Sequence, residues 1–278
     1  MLYPSNNVNK IINRIVWVTQ KNIEAEENKA LKKEELKEKI RKNSFLVDKI
    51  KKAKSISIWI FIVPFVAVNL CLLIITQFHG LFPNQEDIIH GTFPYLDGGA
   101  SISRTARPYP SWLIFKPAMF FTAFLLIKYW HYNRDILLKI KKNHKFAKKI
   151  IFFGVSSAIA LIIHSVFLGI KFDNDLYKIF RRVIMLLFII FEIAAQAYLV
   201  ASFYSIKIKL KKYINPKILK IKLLLVSFLI LVAIICIPII SWPGDNFKFL
   251  KHLLEWDFFL GVISFYLLTF FMWKKKVN

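Results

Sequence analysis

Val183-Ile-Met-Leu-Leu-Phe-Ile-Ile-Phe-Glu192-Ile-Ala-Ala-Gln196-Ala-Tyr-Leu-Val-Ala-Ser-Phe-Tyr-Ser205 is bracketed by Arg181-Arg182 before it and by Lys207, Lys209, Lys211 and Lys212 after it. About 20 apolar residues are what a helix needs to cross the hydrocarbon core of a bilayer. Comparable blocks occur near 56–78, 112–131, 150–170, 221–241 and 253–273. Six are too many for one soluble core. With 56% hydrophobic residues in the 278-residue chain, the reading is an all-α, polytopic membrane protein.

The charge pattern orients it. Segments 1–55, 128–149, 207–222 and 274–278 together hold 32 Lys+Arg and 8 acids, whereas the alternate connections 79–111, 171–182 and 241–257 hold 8 of each. Excess Lys/Arg on every second connection is the positive-inside signature, which predicts cytoplasmic N and C termini. A net charge of +24 in a soluble chain would suggest nucleic acid. Here it is placed to meet anionic headgroups, so the expected partners are membrane lipids and not nucleic acid. Three parts follow: a basic N-terminal helical extension, 1–55; a six-helix domain, 56–273, with outer loop 79–111; and a basic tail, 274–278. The first span, lacking a cleavable leader before it, is expected to serve as its own insertion signal.

Within 1–55, Ile11, Ile15 and Val18 form a short stripe beside Trp17, and Leu36, Ile40, Val47 and Ile50 a broken second one. The heptads are not sustained, so the extension reads as a solvated or membrane-surface helix. Cys71 and Cys236 lie inside apolar blocks, which argues against a disulfide framework. Pro64 and Pro117 fall inside or near spans, and Gly154, Ser156, Ser157, Ala158 and Ala160 give the third span a small-residue face for close packing.

Chemistry can reside in three places. Phe93-Pro-Tyr-Leu-Asp97-Gly-Gly-Ala-Ser-Ile-Ser103-Arg104-Thr-Ala-Arg107-Pro-Tyr-Pro110 is the one long segment that is neither apolar nor lysine-rich. There Ser103, Arg104 and Arg107, with Lys116 at the start of the second span, are candidates to bind an anionic headgroup. Glu192 lies near mid-membrane, where a carboxylate costs about 3 kcal/mol on insertion scales. Helix rise places Asn69 and His164 within about two turns of its depth. Asn69, His164, Glu192 and Gln196 are therefore a candidate buried polar cluster, read either as an interhelical lock or as a proton relay or headgroup site. On the outer side, Asp97, His252, Glu255 and Trp256, with His79, His90 and Asp257, are the remaining polar groups. No pair among them has a recognised metal spacing, and no metal or cofactor is expected. No nucleophile elbow or phosphate loop is present, so no catalytic residue is assigned.

The outer segment resembles a known family. Ile102-Ser103-Arg104-Thr105-Ala106, followed by Pro108, Pro110 and Phe115, is similar to the Ile-Ser-Asp-Thr-Gly stretch and its Pro and Phe. That stretch is found in the first outer loop of the damage-regulated autophagy modulator (DRAM) family, which also takes in the FGF-receptor-activating protein and the GPI-anchor lipid-remodelling proteins. Glu255-Trp256 resembles a second feature of the family. Arg104 stands where the family has an acid and Ala106 where it has a glycine, so no role is carried over from the acid. The resemblance spans 56–273 and implies a six-span protein associated with membrane lipids, through remodelling, distribution or regulation of lipid enzymes. Two other functions fit the same residues: a membrane-embedded hydrolase or acyltransferase with an outer His/acid site, and a solute or proton-coupled transporter centred on Glu192.

Overall fold

The computed structural model describes residues 6–170, 175–241 and 247–274. Among the described residues every regular element is helical: α1 Asn6–Gln77, α2 Pro94–Asp97, α3 Ile102–Ala106, α4 Ser111–Ile140, α5 Ala147–Phe167, α6 Asp175–Ser205, α7 Pro216–Ser241 and α8 Lys248–Met272. Six of these, α1 and α4 to α8, are long and apolar enough to cross a membrane. The turn at 171–174, Trp242-Pro243-Gly244 and the end of the basic tail lie outside the described residues, as do the side chains of Ile11, Ile15, Val18 and Cys236.

The chain divides into two compact units, Met1–Asp48 and Lys49–Asn278. In the first, Trp17, Leu36 and Ile40 are exposed, and the regular contact is an ion pair between Glu38 and Lys42 one turn apart. The second begins earlier than the expected boundary at residue 55. Ile50 and Ala53 are buried, and Lys49 donates to Asp135 on α4 at 2.8 Å, so the last lysine-rich turns already belong to the bundle.

Within the second unit α4 packs on α5, α5 on α6, α6 on α7 and α7 on α8. Close approach is written into small residues. A Cβ on Gly154 of α5 would lie 2.3 Å from Cγ of Trp130 on α4, so the indole rests against bare backbone. Large apolar side chains face outward as well: Phe121, Phe124, Phe152, Leu224 and Phe228 are exposed. An apolar exterior of this kind suits lipid, not water.

Two connections differ from expectation. α4 continues through Ile140, well past Trp130, because Ile136 and Leu137 continue its buried face into the lysine-rich segment. α7 starts at Pro216, where proline is suited to the first helical turn, so residues 216–222 are helix and not linker.

Candidate functional site

The segment 79–110 folds back on the ends of α1 and α8. Ile75 of α1, Phe82, Ile88, Ile89 and Ala100 form its own apolar cluster. Asp97 closes the following turn: its Oδ1 accepts from the Thr92 hydroxyl at 2.7 Å and the Gly99 N–H at 2.8 Å, and its Oδ2 from the Phe93 N–H at 2.7 Å. Burial pushes this carboxyl up, but these three donors together hold it below the usual carboxylate range. Gly98 adopts φ +62°, and a Cβ there would stand 1.9 Å from the carbonyl oxygen of Phe249 on α8. Glycine is required on both counts.

The first turns of α8 then grip the loop backbone. His252 Nδ1 donates to the Gly98 carbonyl at 2.9 Å, which fixes the proton on Nδ1, and Trp256 Nε1 donates to the Ala100 carbonyl at 2.8 Å. The Glu255 carboxyl lies beside the N–H groups of Ser103 and Ile102. Tyr95 stacks edge-on against Trp256, ring centroids 4.8 Å apart, and its hydroxyl meets Asn69 of α1 at 3.1 Å. Asp97, His252, Glu255 and Trp256 are therefore brought together as a clamp on the loop. His252 and Trp256 spend their ring N–H groups on loop carbonyls, and Asp97 its carboxylate on the Thr92 hydroxyl and two loop N–H groups. Asp257 is exposed, and His79 and His90 pack against each other 4.7 Å apart at the loop's far side. Among the described residues no three His, Cys, Asp or Glu side chains converge as a metal site.

The headgroup candidates separate. Ser103 Oγ pairs with Ser101 Oγ at 3.2 Å, and Arg104 is exposed at the rim. Arg107 runs inward along the Gly169 turn that follows α5. Burial, and next the like charge of Arg181 on α6, push its guanidinium below its ordinary value. Lys116 donates to the Val166 carbonyl of α5 at 3.3 Å and lies 5.4 Å from the Trp112 ring centroid. Arg107 and Lys116 thus both reach the end of α5. Arg181, grouped from the sequence only as a flank, joins them.

The mid-bundle cluster is partly as expected. Glu192 is buried, accepting from Ser157 at 2.6 Å, from Gln196 at 3.1 Å and from the Tyr266 hydroxyl. Gln196 also donates to the Val262 carbonyl at 3.2 Å. Asn69 and His164 are not in this cluster. Asn69 turns to Tyr95 and to the Phe65 carbonyl, at 2.8 Å for the latter, and His164 lies nearer Arg181. Depth along a helix says nothing about azimuth, and both side chains face other neighbours.

One member was not anticipated. Lys222, counted as part of a basic connection, is fully buried on α7, donating to Thr269 at 2.6 Å with its ammonium 3.7 Å from the Phe265 ring centroid. Thr269 Oγ1 in turn lies 3.1 Å from the Tyr129 hydroxyl, and the Tyr129 ring packs on Tyr266 at 5.0 Å. The carboxylate layer and the buried lysine therefore adjoin through two tyrosines. The signal was available: Leu219, Lys222, Val226 and Leu229 recur at helical spacing, and all four are buried.

Comparison with known proteins gave no matching family model, no matching curated protein and no matching solved structure.

Proposed function

We propose that this chain is an integral membrane protein that binds anionic lipid headgroups at its outer face, in a regulatory or lipid-remodelling role, with loop 93–115 as the recognition element. The observation that supports it best is the clamp. α8 holds the loop backbone through His252 and Trp256, with Glu255 beside it, which leaves Arg104 at the rim and directs Arg107 toward the ends of α5 and α6. Cations fixed on a rigid frame at a bilayer boundary suit phosphate-bearing headgroups. In this reading both termini are cytoplasmic, as the lysine asymmetry favours. The resemblance to the DRAM and GPI-anchor lipid-remodelling proteins points to the same class of ligand. Native lipids recovered with the purified protein test it: Arg104→Ala combined with Arg107→Ala should lower the anionic fraction, and an unchanged fraction overturns the reading.

A second reading, proton-coupled transport through Glu192, is favoured by one observation: a buried lysine adjoins the buried carboxylate layer by way of Thr269, Tyr129 and Tyr266. The hydrolase or acyltransferase reading has no comparable support: His252 and Asp97 are engaged in holding the loop, while His79 and His90 pack against each other at its far side.

A further inference from the structure

We propose that Arg107, His164 and Arg181 form a phosphate-binding pocket at the outer mouth of the bundle, where the end of α3 meets α5 and α6. This inference rests on the headgroup reading above and names its chemistry.

The three side chains share an unusual condition. Arg107 Nε, Arg181 Nε and His164 Nδ1 are each buried and, among the described residues, each without a hydrogen-bond partner. Guanidinium groups stay charged in proteins, so neither arginine can relieve this by losing its proton. The two are mutually repulsive, and Arg181 also bears on His164. Asp87 attracts Arg107, while Arg104 adds further repulsion. Among the described residues neither arginine forms an ion pair with a carboxylate.

Donors and positive charge collected without an acceptor describe half of a binding site. The missing half must accept several hydrogen bonds from different directions and carry at least one negative charge. A tetrahedral phosphate does so, and guanidinium forks match its oxygen edges. The frame is preorganised: Arg107 packs along the turn made by Gly169, whose φ of +88° is a left-handed conformation that favours glycine, and the Tyr177 hydroxyl donates to the Phe167 carbonyl at 2.8 Å across the start of α6. Next to Arg181 the surface of α6 is greasy. Leu176, Ile179, Phe180 and Val183 are all exposed. A phosphate held by the two guanidinium groups and the His164 imidazole has room to carry acyl chains along these residues. The same phosphate chemistry is found in a lipid headgroup and in a soluble phosphate.

The full-length protein in phosphatidylcholine nanodiscs doped with phosphatidic acid distinguishes these, with inorganic phosphate titrated separately in detergent. Arg181→Gln and His164→Gln should each weaken phosphatidic acid retention about tenfold, whereas Arg181→Lys, which keeps charge but not the fork, should be intermediate. Thermal melts identify any variant that fails to fold, and the remaining variant then decides. Loss of both ligands together assigns a general phosphate site; loss of phosphatidic acid, with no phosphate binding in the wild type, assigns a lipid headgroup site. If both substitutions retain phosphatidic acid as the wild type does, the pocket is refuted. The headgroup reading survives that result only if Arg104→Ala with Arg107→Ala still loses lipid.

Discussion

The indole nitrogen of Trp256 donates to the carbonyl of Ala100 at 2.8 Å, joining two residues 156 positions apart in the chain. Five residues earlier in the loop, the Tyr95 ring leans on the same indole. This one side chain therefore sets the position of a loop otherwise built from turns, and His252 repeats the grip on Gly98.

The clamp depends on the absence of a side chain at Gly98. Gly98→Ala would drive a methyl group into the Phe249 carbonyl from a left-handed backbone conformation. We expect a loss of about 1–3 kcal/mol, with the loop released before the bundle melts. Limited proteolysis within 93–107 should accelerate in the variant; an unchanged cleavage rate would show that α8 does not restrain the loop.

Acid should loosen the same turn. Asp97 is held below its unfolded value, so its contribution is complete above that value and is lost as pH falls through the folded value. The window lies below about pH 4, the ordinary carboxylate range. Hydrogen exchange at the Gly99 and Phe93 amides should quicken there in the wild type. In Asp97→Asn, where no carboxylate titrates, exchange should already be fast and show less dependence on acid.

Most of the architecture was legible from composition, and less of the site was. Spans announce themselves because lipid tolerates only apolar exteriors, which is why Val183–Ser205 maps onto α6. Glu192 and Gln196 are one turn apart on one face of one helix, and that spacing puts them within reach of the bond they make. Their partners Ser157 and Tyr266 come from other helices, whose rotation no single segment discloses. Lys222 was hidden for a different reason. It sits among Lys217, Lys220 and other basic residues, and only the Leu219–Val226–Leu229 period shows that it points inward. The His252 and Trp256 contacts with the loop span the whole domain and leave no local trace.

Lys222 should be a stability liability. A buried ammonium with a hydroxyl and a ring face as partners is costly, so Lys222→Met should raise stability by about 1–3 kcal/mol. A higher melting temperature in detergent is the expected readout. A lower one would mean that the ammonium is retained for a bond that Met cannot replace.

Glu192 separates an interhelical lock from a proton pathway. Glu192→Leu removes the acceptor for Ser157, Gln196 and Tyr266 and should cost about 1–3 kcal/mol, while Glu192→Gln, still able to accept, should cost less. In proteoliposomes the headgroup-binding account expects no proton flux in the wild type. Flux in the wild type that disappears in Glu192→Gln would favour the transport reading instead.

All of this depends on the loop 79–110 and the lysine-rich connections lying on opposite sides of the membrane. Single cysteines at Leu96 and Lys142, both exposed, can be introduced after replacing Cys71 and Cys236, then probed with a membrane-impermeant maleimide on intact cells. The account predicts labelling at position 96 without permeabilisation and at position 142 only after it. Labelling of both positions from the same side would contradict it.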